Sequence, residues 1–249
     1  MALDGGAAKY HRQVAEVTGV MAQHANVFQQ LLLARRFKKE IDSAIALDPT
    51  DIQSLRDLME FYLLAPGIAG GNKAEALAVA ERIGRIDRAQ GFRAEAWLAE
   101  FDKDTGNAEA LLIKATEAAP GKYKAKIELA QFELAKEHPN PEAAEATARE
   151  AIQLDATRVD AYSALADIYA SRGQWEELDG LLEADAAVPD DWTPHYRAAE
   201  AMLRTGRNPA AAQRNLRQYL AQEPEGNQPA AAQARQKLEL ARAESARAQ

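Results

Sequence analysis

At 249 residues, 47% hydrophobic but only 6% aromatic, the chain has apolar matter for a sizeable core and must build it largely from small side chains. Its net charge of −8 argues against a nucleic-acid backbone as partner, which requires a Lys/Arg surplus, and no apolar stretch approaches the roughly 18 residues of a membrane span. The lack of cysteine excludes disulfides and thiolate metal sites.

Helix propensity is high nearly throughout, with Gly and Pro mostly at turns, so an all-α chain without sheet is expected. A first helix pair is predicted at about 8–23 and 27–47, closed by Leu47-Asp48-Pro49. Pairs follow at about 52–64 with 73–86, 89–103 with 108–118, 122–137 with 141–154, 158–171 with 175–185, and 194–205 with 209–221. Their closing signals are Ile86-Asp87, Ala119-Pro120, Leu154-Asp155-Ala156, Val188-Pro189 and Glu223-Pro224. A last helix, about 230–247, carries Leu238, Leu240 and Ala241 among many charges, as a terminal cap requires.

Four asparagines mark the interval. Asn72, Asn107, Asn140 and Asn208 each open an Ala/Glu-rich run, with separations of 35, 33 and 68 residues, the last twice 34, and Gln174 in the missing place. Each follows a helix stop: Gly71, Gly106, Pro139, Gly173 for Gln174, and Gly206 ahead of Asn208. Glycine there can end one helix in the left-handed region, and the asparagine can cap the next. Asn72 with Glu75 has capping-box spacing, and Pro141 and Pro209 sit at the favoured first helical position. A period of about 34 residues in helical sequence marks stacked helix pairs.

The large and small residues inside the pairs resemble the tetratricopeptide repeat (TPR). Tyr162, Leu165, Ala166, Tyr169 and Leu182 carry the likeness in the fifth repeat, and Leu129, Ala130, Ala144, Ala148 and Ala151 in the fourth. Leu55, Leu58, Met59 and Tyr62 do so in the second, and Tyr196, Ala212, Leu216 and Pro224 in the sixth. The first closes with Phe37, Ile41, Ala44 and Pro49, while the third is weakest, with Glu95 where a Leu is usual. The resemblance implies a right-handed superhelical solenoid of about six TPR-like helix-turn-helix repeats plus a C-terminal capping helix. One domain over 1–249 is expected, with repeats at about 7–49, 50–88, 89–120, 121–156, 157–189 and 190–224 and the cap at about 229–247. The stretch from Phe61 to Gly71 resembles an insertion of bacterial, often exported, members.

By that register the concave wall, lined by first helices, takes Arg56 and Glu60, then Arg93, Trp97 and Phe101, then Lys124 and Gln131. It continues with Asp160, Ser163 and Asp167, then Arg197 and Arg204. Trp97 and Phe101, four apart and beside Arg93, offer either a peptide anchor or packing between helices. The mixed signs do not reproduce the Lys/Asn/Arg carboxylate clamp of some members.

No reaction chemistry is expected. The Gly67 to Ala74 run has the wrong Gly/Lys spacing for a phosphate loop and no strand before it, and reads as a connector that could touch ligand at a groove rim. His11, His24, His138 and His195 are spread along the chain without a metal-binding cluster. The expectation is a non-catalytic scaffold for a protein or peptide partner, without cofactor or metal, as a monomer or weak homo-oligomer. The alternatives are structural self-assembly and a small-molecule or glycan pocket at Trp97 and Phe101. The opening Met1-Ala2-Leu3-Asp4 lacks the basic-then-apolar order of a leader. The cytoplasm, or the periplasm with the leader absent, is expected.

Overall fold

The computed structural model describes residues 7–23, 25–135, 139–185, 191–222 and 229–247. These residues form thirteen α-helices, one short 3-10 turn and no strand. They gather into two compact units, 1–119 and 120–249. Unit 1 holds α1 (Ala8–Gln23), α2 (Val27–Leu47), α3 (Ile52–Leu64), α4 (Lys73–Ile86), α5 (Arg88–Phe101) and α6 (Thr105–Ala118). Unit 2 holds α7 (Tyr123–Ala135), α8 (Pro141–Leu154), α9 (Val159–Arg172), α10 (Trp175–Asp185), α11 (Thr193–Thr205), α12 (Pro209–Leu220) and α13 (Ala231–Arg247). None of the helices among the described residues is long and apolar enough to cross a membrane.

The helix starts follow from caps. Asn72 accepts from the amides of Ala74 and Glu75, Asn140 from Ala143 and Asn208 from Ala211. Each satisfies a donor that a helix start leaves unpaired. A full capping box joins Asn26 to Gln29. Gly173 and Gly206 end α9 and α11 in the left-handed region, at φ 75° and 66°, while before α4 that conformation falls to Gly70 rather than Gly71. The predicted stops at Val188-Pro189 and Glu223-Pro224, with His24 and His138, lie outside the described residues.

Asn107 is a correction. It does not cap the second helix of the third pair: α6 starts at Thr105, and the Asp104 side chain accepts from the Asn107 amide at 3.2 Å. Gly106 and Asn107 therefore lie in the first helical turn. The turn closes early because Lys103 takes φ 62° and the Asp104 amide reaches the Ala99 carbonyl at 2.9 Å. An acidic cap also complements the positive end of the helix.

A second recurring device sits where pairs meet. Thr50 donates from amide and hydroxyl to Asp48, at 3.0 and 2.8 Å, and Thr157 does the same to Asp155 at 3.1 and 2.6 Å. Thr193 repeats the contact with Asp191. The threonine hydrogen bonds hold the Asp48 and Asp155 carboxyls below the usual carboxylate range.

The core of unit 1 contains Ile41, Leu55, Leu58, Met59, Val79, Ile83 and Leu98 among small Ala76, Ala80 and Ala94. Between α4 and α5 the linker shrinks to one residue, Asp87, which ends the first helix and caps the second. The two helices consequently meet at Gly84 and Gly91, where a Cβ on Gly91 would lie 2.3 Å from the Gly84 Cα.

In unit 2, α9 packs directly on α11, first helix against first helix. The core collects Leu165, Ile168, Tyr169, Leu178, Tyr196, Met202, Leu216 and Tyr219. Helix α13 buries Ala234, Leu238 and Ala241 against this core and exposes much of the rest of its surface. The Tyr219 hydroxyl donates to the Pro229 carbonyl ahead of it.

Helix α9 has no side-chain cap of its own at Arg158. Its Ala161 amide instead donates to the Tyr123 hydroxyl of α7 at 2.9 Å, and that hydroxyl donates to the Arg158 carbonyl at 3.2 Å. Burial pushes the Tyr123 phenol up to about 12, so the group stays protonated as a donor. Tyr123→Phe should cost about 1–2 kcal/mol in urea denaturation, because the buried Ala161 amide loses its acceptor. An unchanged midpoint would mean that water replaces the hydroxyl.

Candidate binding groove

Within unit 1, α1, α2 and α3 and the connector after α3 enclose an open groove of about 520 Å³, within the range of ligand pockets. Val20 comes from α1, Leu31, Leu33 and Phe37 from α2, Phe61 and Leu64 from α3, and Pro66, Ile68 and Ala69 from the connector. Phe37 and Phe61 stack at 5.8 Å with planes 12° apart, giving the groove a rigid aromatic floor. Gly19 admits the Phe37 ring, since an added Cβ would already touch it at 3.4 Å.

The connector is pinned. Ala69 and Gly71 amides donate to the Pro66 carbonyl at 2.8 and 3.1 Å, and Asn72 donates to Tyr62 at 2.8 Å. Gly71 leaves no space for a side chain, because a Cβ would lie 1.8 Å from the Ala65 carbonyl oxygen. Thus held, the connector presents Ile68 at 80% exposure on the rim. The insertion noted in the sequence is one wall of the groove.

Among the described residues, three charged ones line this groove, Glu16, Asp57 and Glu60, and all are acidic. Arg12 pairs with Glu16 at 2.5 Å. Asp57 Oδ1 accepts from Gln53 at 3.0 Å, whereas Oδ2 is enclosed without a hydrogen-bond partner among the described residues. Burial pushes the Asp57 carboxyl up to about 6, partly offset by the Gln53 hydrogen bond and the Arg12 charge, with Glu16 and Glu60 adding repulsion. The acidic side of the groove thus holds a carboxylate poorly compensated for its loss of water.

Of the residues predicted for the wall, Glu60 is exposed and lines this groove. Arg56 is half-buried on α3. Arg93 is only 7% exposed and donates to Gln90 at 2.7 Å, so it is an interior group and not part of an exposed trio. Trp97 is half-buried against the unit 1 core, while Phe101 ends α5 at 48% exposure. In unit 2, Lys124 and Gln131 are exposed on α7, Asp160 sits 3.5 Å from Arg158, and the Ser163 hydroxyl is enclosed. Asp167 and Arg204 are brought together at 2.6 Å with Ser171 in the same cluster, and Arg197 pairs with Glu200 at 2.8 Å. Those charges largely satisfy one another. His11 meets Glu40 and His195 meets Asn215, each at 2.7 Å. No group of three metal-ligating side chains occurs among the described residues.

The apolar groove residues were missed by counting positions. Their signal was available: Leu31-Leu32-Leu33 on α2 and Val17, Val20 and Met21 on α1 supply more apolar surface than one buried face uses. Val17, Val20, Met21 and Leu32 are all exposed.

The architecture is that of an all-α helical-repeat protein. No protein-family model matches the chain, and no curated protein matches it. Among solved structures it is similar to a tetratricopeptide repeat protein from Parabacteroides merdae ATCC 43184, with 18% identity over 95% of this chain and 90% of that one and a TM-score of 0.55. It is also similar to a thermophilic TPR protein of Thermus thermophilus, with 16% identity over 76% of this chain and 98% of that one and a TM-score of 0.52. The fold is of the tetratricopeptide type.

Proposed function

We propose that this chain is a non-catalytic protein-interaction scaffold that holds a peptide or partner segment, and that the groove of α1, α2 and α3 is the place of contact. The observation carrying this reading is the groove itself: an apolar trough with a stacked aromatic floor and a pinned connector wall, open to solvent. Ordered walls lower the entropic cost of capturing a flexible segment.

Panning a displayed random-peptide library against the purified chain tests it. Wild-type protein should enrich peptides that Leu64→Ser/Ile68→Ser protein retains at least tenfold less well, since two exposed apolar contacts are removed without disturbing the core. Equal retention by both proteins would sink the reading.

A second reading is self-association, favoured by Phe28 at 86% exposure with Leu32 four residues along the same helix. Light scattering over a range of concentrations separates them. A defined oligomer that Phe28→Asp disperses would establish it.

A further inference from the structure

We infer that the groove of α1, α2 and α3 takes an apolar peptide segment bearing a lysine or arginine, the cation lying against Glu60 and Asp57 while apolar side chains enter beside Leu64 and Ile68. This rests on the scaffold reading and adds the chemistry of the occupant.

Two properties of the same trough point to one partner. Its apolar walls and aromatic floor match aliphatic or aromatic side chains, and α2 contributes no charged residue to the lining. Its charges among the described residues are of one sign. Glu16 is answered by Arg12, but among the described residues Glu60 is exposed with no charge partner, and Asp57 on the same helix has an enclosed oxygen that no donor reaches. A desolvated carboxylate beside a second carboxylate is stabilised by an arriving cation, and an anionic segment would meet repulsion in the same place. A purely apolar segment would leave both acids covered and unanswered, which costs more than leaving them in water. The net charge of −8 draws any basic segment toward the chain, but only a local arrangement of apolar wall and acid selects one that carries both.

The test uses fluorescence anisotropy with two labelled synthetic peptides of twelve residues, identical in their leucines and differing only in having lysines or glutamines at the flanking positions. Measurements at near-physiological salt suppress long-range attraction to the acidic surface. Wild-type protein should bind the lysine peptide about tenfold more tightly than its twin, as expected for a cation paired with a partly buried acid. Asp57→Asn/Glu60→Gln should lose that preference and still bind the glutamine twin. Glu81→Gln/Glu117→Gln removes the same charge from exposed positions on α4 and α6 and should keep it. Circular dichroism melts of all variants confirm that each is folded.

Equal binding of the two peptides by wild type, or a preference that survives Asp57→Asn/Glu60→Gln, would overturn the inference while leaving the scaffold reading intact. Failure of the lysine peptide to bind wild type overturns it as well, and the library then decides the scaffold reading separately. Lysine-peptide binding unaltered in Leu64→Ser/Ile68→Ser would place the contact elsewhere and overturn both.

Discussion

Gly91→Ala should destabilise the protein by about 2 kcal/mol or more, whereas Gly84→Ala, at the same helix crossing, should be neutral or stabilising by up to about 1 kcal/mol. The asymmetry comes from geometry. A Cβ on Gly91 would fall 2.3 Å from the Gly84 Cα and 2.8 Å from its nitrogen, but a Cβ on Gly84 would meet the Gly91 Cα at an ordinary 3.5 Å. Both obstacles at Gly91 are backbone, so no rotamer change relieves them and the helices must separate. Asp87, three residues after Gly84 and four before Gly91, leaves little slack for that movement because it belongs to both helix ends. Alanine at Gly84 gains helix propensity without the clash. Urea denaturation followed by circular dichroism would check the pair, and equal effects of the two substitutions would refute the crossing geometry.

Stability should fall as pH rises from about 4 to about 7 through Asp185, and Asp185→Asn should flatten that part of the profile. Asp185 ends α10 with no exposed surface, and neither carboxyl oxygen has a hydrogen-bond partner among the described residues. Burial pushes its carboxyl up to about 7, with Asp191 contributing repulsion. A raised acid binds its proton more tightly in the folded chain than in the unfolded one. Its contribution is therefore complete below the unfolded value near 4 and lost as pH passes about 7. The loss is on the order of 2 kcal/mol once solvent screening is allowed for. Asparagine resembles the neutral acid, so the variant should match wild type at pH 4 and exceed it at pH 8. Melting curves at those two pH values suffice, and a variant weaker than wild type at both would contradict the assignment.

Much of the fold was legible because helix ends are governed by few residues. Asn72, Asn140 and Asn208 cap where their spacing places them, and Gly173 and Gly206 stop the preceding helices. Asn107 misled because Asp104, three residues earlier, is an equally good acceptor, and a lysine rather than glycine makes the turn. Asp48, Asp155 and Asp191, each two residues before a threonine, formed a periodic signal that the asparagine count overlooked. The division at residue 119 left no mark, since Ala119-Pro120 reads like the other closing turns.

The site was less legible. Arg93 was placed on the wall by register, but α5 buries Ala89, Gly91, Arg93, Ala94, Ala96, Leu98 and Ala99, a spread too wide for one stripe. In an Ala-rich helix several faces are small enough to bury, and the pattern alone does not choose among them. Glu60 and the Pro66 to Gly71 insertion were both singled out, yet only packing reveals that they border the same trough as α1.

The hydroxyl that Tyr123 lends to α9 bears on modularity. A fragment cut between α7 and α9 would start a helix with an amide robbed of its acceptor, so the helix pairs opened by α7 and α9 cannot be treated as interchangeable bricks. Grafts or truncations of unit 2 should keep α7 with α9, or supply a serine or aspartate in the role the tyrosine now fills.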